Sequence, residues 1–147
     1  MSENYTDPQG VLNKMLPIFQ QCSKQNNSID GIAFSLNSSI LAQSTEKFFD
    51  DTVIPSLLAN LSETTKDTYN EDTTLQYICF QMKDSDNQRW AWTVVYLDPP
   101  YESYSFVFVG QLEEKNYKAR LTTHQSTVPL YLKKLLPFVE EYHRLTA

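Results

Sequence analysis

Between Leu75 and Gly110 the chain carries three dense apolar segments, at residues 75–82, 90–97 and 104–109. Aromatic and β-branched residues dominate all three, and polar turn chemistry separates them, which predicts strands. Asp84-Ser85-Asp86-Asn87 suits a hairpin loop, and Asp98-Pro99-Pro100 suits a break that continues neither a helix nor a ladder. An antiparallel three-stranded meander is the predicted centre of the protein.

Upstream, Val11, Leu12, Met15, Leu16, Phe19 and Cys22 fall at three-four spacing and predict an amphipathic helix running to about Lys24. Asp7 is its cap, Pro8 its first residue, and Pro17 a point where it should bend. Ile32, Phe34 and Leu36 alternate with smaller neighbours as a half-buried strand does, Asn37-Ser38 makes a tight turn, and residues 39–43 return as the partner strand. Gly31, at the strand entrance, marks a bulge or a close approach. Ser44-Thr45-Glu46 predicts the start of a middle helix in which Phe49, Val53, Leu57 and Leu61 repeat every fourth residue. Residues 1–6 are expected to be a flexible N-terminus and residues 62–74 a polar, mobile connector.

After the meander, Tyr117, Ala119 and Leu121 alternate with Lys118, Arg120 and Thr122, predicting a charged edge strand. Thr127-Val128-Pro129 then starts a C-terminal helix with Leu132, Leu135, Leu136, Val139 and Tyr142 on one face. The expected architecture is a single α+β domain over residues 1–147. It is a two-layer sandwich in which N-terminal, middle and C-terminal helices pack on a mostly antiparallel sheet of five to six strands.

Composition narrows the function classes. A 41% hydrophobic and 13% aromatic content excludes a disordered chain, and no run approaches the roughly 18 apolar residues of a membrane span. The polar, acidic start lacks a signal-peptide pattern, so the expected location is cytoplasmic. The net charge is −6 and the 12 basic residues are scattered, which argues against nucleic-acid binding. Acidity suits a partner with a basic face. Cys22 and Cys79 lie far apart within apolar patterns and are expected to be buried thiols.

Catalytic and metal chemistry finds little purchase. With Gly10, Gly31 and Gly110 the only glycines, a glycine-rich phosphate loop is impossible. His124 and His143 lack the further ligands a zinc site needs and are expected on the surface. The Asp84–Asn87 turn has neither the mid-loop glycine nor the terminal glutamate of a calcium loop. No cofactor, metal or small-molecule substrate is expected, and the chain is expected not to be an enzyme.

The aromatic residues are more informative. Trp90 and Trp92 share one strand face with Val94 and Tyr96, opposite Ala91, Thr93, Val95 and Leu97, so both faces are largely apolar. Either helices or a large core cover both faces, or one face binds a protein. On the second reading the candidate partner-binding residues are Trp90, Trp92, Tyr96, Tyr101 and Tyr104, since Trp and Tyr are typical interface anchors.

The order of elements, and above all Ile29-Asp30-Gly31-Ile32-Ala33-Phe34-Ser35-Leu36-Asn37-Ser38-Ser39-Ile40-Leu41-Ala42-Gln43-Ser44 leading into a long helix, resembles the Roadblock/LC7 (profilin-like) family. In that family a Gly opens the first strand, a tight turn follows, and the second strand delivers a helix. The resemblance is topological and covers about Val11 to Val109. The chain departs from it in a polar residue at the Asn37-Ser38 turn, a long connector after the middle helix, and an extra segment before the last helix. The resemblance implies a non-enzymatic dimer that scaffolds small GTPases or motor complexes. The expected function is therefore a protein–protein interaction module, a scaffold subunit that binds a protein partner, a second copy, or both. The alternative is a small acidic bacterial immunity protein or secretion chaperone that neutralises or escorts its partner.

Overall fold

A computed structural model describes residues 7–25, 28–37, 39–49 and 77–147. The chain folds as an α+β two-layer sandwich. Helix α1 (Pro8–Gln25) is followed by strands β1 (Gly31–Leu36), β2 (Ser39–Gln43), β3 (Tyr77–Lys83), β4 (Arg89–Tyr96) and β5 (Tyr104–Leu112). A 3-10 turn (Glu114–Asn116) then leads into helix α2 (Tyr117–Thr146). The expected N-terminal tail, most of the expected middle helix and the 62–74 connector lie outside the described residues. Where the sequence predicts the opening of that middle helix, residues 44–49 are bends and irregular chain instead.

Helix α1 forms where the three-four spacing places it. The Asp7 carboxylate accepts the Gly10 N–H at 2.6 Å, satisfying one of the open donors of the first turn. Val11, Leu12, Met15, Phe19 and Cys22 make its buried stripe.

The five strands are antiparallel throughout, in the order β2-β1-β5-β4-β3. The meander β3-β4-β5 is joined to the β1-β2 hairpin by pairing β1 with β5, Ile32 opposite Phe108 and Phe34 opposite Phe106. The Asp84–Asn87 hairpin is present: Asp84 Oδ1 accepts the N–H groups of Asp86 and Gln88, each at 2.9 Å, and Asn87 takes φ 64°. Both helices cover the same face. Phe34 lies at the centre of that layer, stacked on Phe106 at 4.8 Å and on Tyr104 at 5.5 Å, with Tyr142 of α2 edge-on at 6.2 Å.

Two sequence expectations fail at the C-terminal end. Residues 117–122 are helical, not a sixth strand, and α2 begins ten residues before Thr127. The Tyr117/Ala119/Leu121 alternation is short, whereas buried His124, Thr127, Val128, Tyr131, Leu135, Val139 and Tyr142 form a long three-four series. Arg89 of β4 holds the start of that helix: its guanidinium lies 4.2 Å from the Tyr117 ring centroid and 3.2 Å from the Glu114 carboxylate.

His124 is the second correction, since it is fully buried and not on the surface. Its Nδ1 lies 2.9 Å from the Ser28 carbonyl oxygen, which can only accept, so Nδ1 carries the proton. The other nitrogen, Nε2, then accepts from Thr93 Oγ1 at 2.8 Å. Burial holds the imidazole below the ordinary histidine pKa, against smaller opposing contributions from the Ser28 bond and the Asp30 charge. The same Ser28 carbonyl crosses directly over Gly110, where an added Cβ would land on it. Around this crossing the Asp30 N–H donates to the Val109 carbonyl at 2.7 Å and the Asp30 carboxylate accepts the Gln111 N–H at 2.7 Å.

Gly110→Ala should therefore lower stability by about 3 kcal/mol or more, because the obstacle is backbone that cannot rotate away. Phe106→Ala should cost about 3–5 kcal/mol through lost burial and the cavity left behind. Chemical denaturation checks both; a Gly110→Ala chain as stable as its parent would contradict the crossing.

His124 gives a pH dependence of definite sign. Its folded-state pKa is depressed, so the unfolded chain binds the proton more readily. The stabilisation from the neutral ring is complete above the unfolded value of about 6.5 and is lost as pH falls from there toward the folded pKa. Thermal unfolding at pH 7.5 and pH 5.5 should show a larger acid loss in the parent than in His124→Gln. Equal losses in the two proteins would contradict a buried neutral imidazole.

Candidate functional site

The face of the sheet turned away from α1 and α2 is also largely apolar. Strand periodicity sends Trp90, Trp92, Val94 and Tyr96 of β4 to this side, with Met82, Phe80 and Ile78 of β3 as their cross-strand neighbours. Val107 and Val109 of β5 and Ala33 of β1 extend the surface. Gly31 is where the chain returns over it. A Cβ on Gly31 would lie 2.8 Å from the Phe48 ring and 3.2 Å from that of Phe49, so the glycine admits both rings.

Phe48 packs edge-on to Trp90 with centroids 5.3 Å apart, and Phe49 edge-on to Trp92 at 6.2 Å. The Trp90 indole Nε1 donates to Asp84 Oδ2 at 2.9 Å, and this bond, with those from the hairpin amides, holds the Asp84 carboxyl below its ordinary pKa. The hairpin thus fixes the tryptophan. Met82 remains 48% exposed beside it, and Phe80, Trp90 and Trp92 are half-buried. Burial pushes the Tyr96 hydroxyl above its ordinary pKa, and the hydroxyl has no hydrogen-bond partner among the described residues.

The five aromatic candidates do not form one surface. Trp90, Trp92 and Tyr96 belong to this second face. Tyr104 points the other way: it is 3% exposed, stacks on Phe34 and lies with its hydroxyl 3.1 Å from His143 Nδ1, so it is core and not a surface anchor. Its alternation with Phe106 and Phe108 on the helix-facing side assigns it there. Tyr101, half-buried after the cis Pro99–Pro100 bond, packs edge-on against His143 at 5.3 Å, also on the helix side.

The remaining chemistry-bearing groups stay apart. The Cys22 thiol is buried and its pKa is pushed up to about 12 by burial, which makes it a poor nucleophile. Cys79 is half-buried rather than buried. Among the described residues no cluster of three or more His, Cys, Asp or Glu could hold a metal ion, and no helix is long and apolar enough to cross a membrane.

Five antiparallel strands in this order, with both terminal helices on one face, make a Roadblock-like fold. The structure aligns with the gliding protein MglB from Thermus thermophilus over 93% of this chain and 94% of that one, with a TM-score of 0.64 and 14% identity. A second MglB structure, in a tetrameric arrangement, aligns over 90% and 92% at a TM-score of 0.64 and 13% identity. No protein-family model and no curated protein sequence matches the chain.

Proposed function

We propose that this protein is a non-enzymatic interaction module, a scaffold subunit that self-associates and binds a protein partner through the Trp90–Trp92–Tyr96 face of its sheet. The observation that carries the reading is that face itself. It presents half-buried aromatic rings and an exposed methionine on a rigid sheet, and large apolar side chains held in place are what interface anchors require.

Self-association has a route in the same region. Strand β3 ends the sheet order, so its outer row of backbone groups faces no neighbouring strand among the described residues. A second copy of β3 can continue the sheet antiparallel and set the two aromatic faces side by side. The Roadblock-like fold supports a small-GTPase-linked complex as the setting. It favours this reading over an immunity protein or a secretion chaperone, and a cytoplasmic location agrees with it.

The parent chain should run as a dimer in light scattering coupled to size exclusion. Trp90→Ala and Trp92→Ala should each weaken dimer or partner association at least tenfold, about 1.4 kcal/mol, with far-UV circular dichroism unchanged. A monomeric parent would remove the dimer. A parent that also captures no small GTPase from its native cell, in either nucleotide state, would remove the scaffold reading.

A further inference from the structure

On the helix-covered side of the sheet α2 packs on β4 and β5, and a cavity of about 410 Å³ opens between it and the C-terminal end of β4, with Tyr77 of β3 among its lining residues. Val95 of β4 and Leu97 just beyond its end line the sheet side, Val128, Leu132 and Leu136 of α2 the helix side, and Pro99 and Tyr101 close one end. The α2 residues recur at helical spacing, so one helix stripe makes the whole wall. The volume lies within the range of about 300–1,000 Å³ usual for small-molecule sites, and an apolar lining with a few polar groups is the usual composition of such sites.

The charged groups are of one sign. Asp98 and Glu140 bring two exposed carboxylates to the lining, and no Lys, Arg or His contributes to it. Gln125 and Pro129 also line it, four residues apart on α2. Two carboxylates beside an apolar slot call for a ligand with an apolar body and a donor-bearing positive end. The net charge of −6 acts in the same direction on approach.

We infer that this cavity is a binding site for a small lipophilic amine, its apolar body between α2 and β4 and its ammonium group toward Asp98 and Glu140. Tyr96 also lines the cavity, but Trp90 and Trp92 do not, so loss of amine binding would leave the Trp90–Trp92 part of the proposed partner face untouched.

Dansylcadaverine, an arene joined to a primary ammonium, is a suitable probe, with its N-acetylated and therefore neutral form as control. Titrated into the full chain, the cationic probe should saturate at one equivalent with enhanced, blue-shifted emission. Leu132→Arg, which puts a bulky cation in the wall, should weaken it tenfold or more. Asp98→Asn combined with Glu140→Gln alters only exposed side chains and should keep the parent's melting temperature. That double variant should bind the cationic probe about fivefold more weakly and the acetylated probe as the parent does. Non-saturating emission, binding insensitive to Leu132→Arg in a folded chain, or equal affinity for the two probes would each overturn the inference.

Discussion

The Ser28 carbonyl occupies the space a side chain on residue 110 would need, and the structure turns on that crossing. It lies just beyond α1 and just before β1, over the far end of β5, and accepts the proton of a histidine from α2. The histidine in turn receives a hydroxyl proton from Thr93 of β4. One backbone oxygen, one missing Cβ and one imidazole thus tie α2 and the α1–β1 connection to two strands. Such a junction is sensitive to error because its polar groups are buried: lose one member and the others keep their desolvation cost without their bond.

That junction also explains which parts of the fold are legible in the sequence. α1, the β1-β2 hairpin and the three-stranded meander follow from local spacing and turn residues, and each forms within a few residues of its predicted limits. His124 cannot be read this way. A lone histidine between Thr123 and Gln125 resembles a surface residue unless its position in the Leu121, Val128, Tyr131, Leu135 series is noticed, and a short strand-like alternation at Tyr117 obscures where that series begins. The helix is legible in principle; a period of two counted over so few residues does not outweigh the longer run at a period of 3.6.

The aromatic site shows the same division. Alternation along β4 places Trp90, Trp92 and Tyr96 on one face and Ala91, Thr93 and Val95 on the other. It cannot tell which face the helices take, because both are apolar. Only residue type and sequence proximity group Tyr101 and Tyr104 with the tryptophans. Strand β5 runs antiparallel to β4 with Ser105 opposite Tyr96, so it is the serine, not its neighbour Tyr104, that shares the tryptophan face. Register decides membership of a surface, and register is a tertiary fact.

The two faces therefore carry different burdens. On the helix side a cavity opens beside α2, with the Asp98 and Glu140 carboxylates in its lining. On the opposite side a glycine at the start of β1 lets two phenylalanines fold back over tryptophans, one of which an aspartate in the hairpin already holds. Anchors fixed before association lose little side-chain entropy on binding, which is what lets a few rings support a specific contact. Asp84 is central to that arrangement: the same carboxylate organises the turn through Asp86 and Gln88 and orients the Trp90 indole. The geometry of the hairpin and the readiness of the aromatic face are consequently one property of the chain.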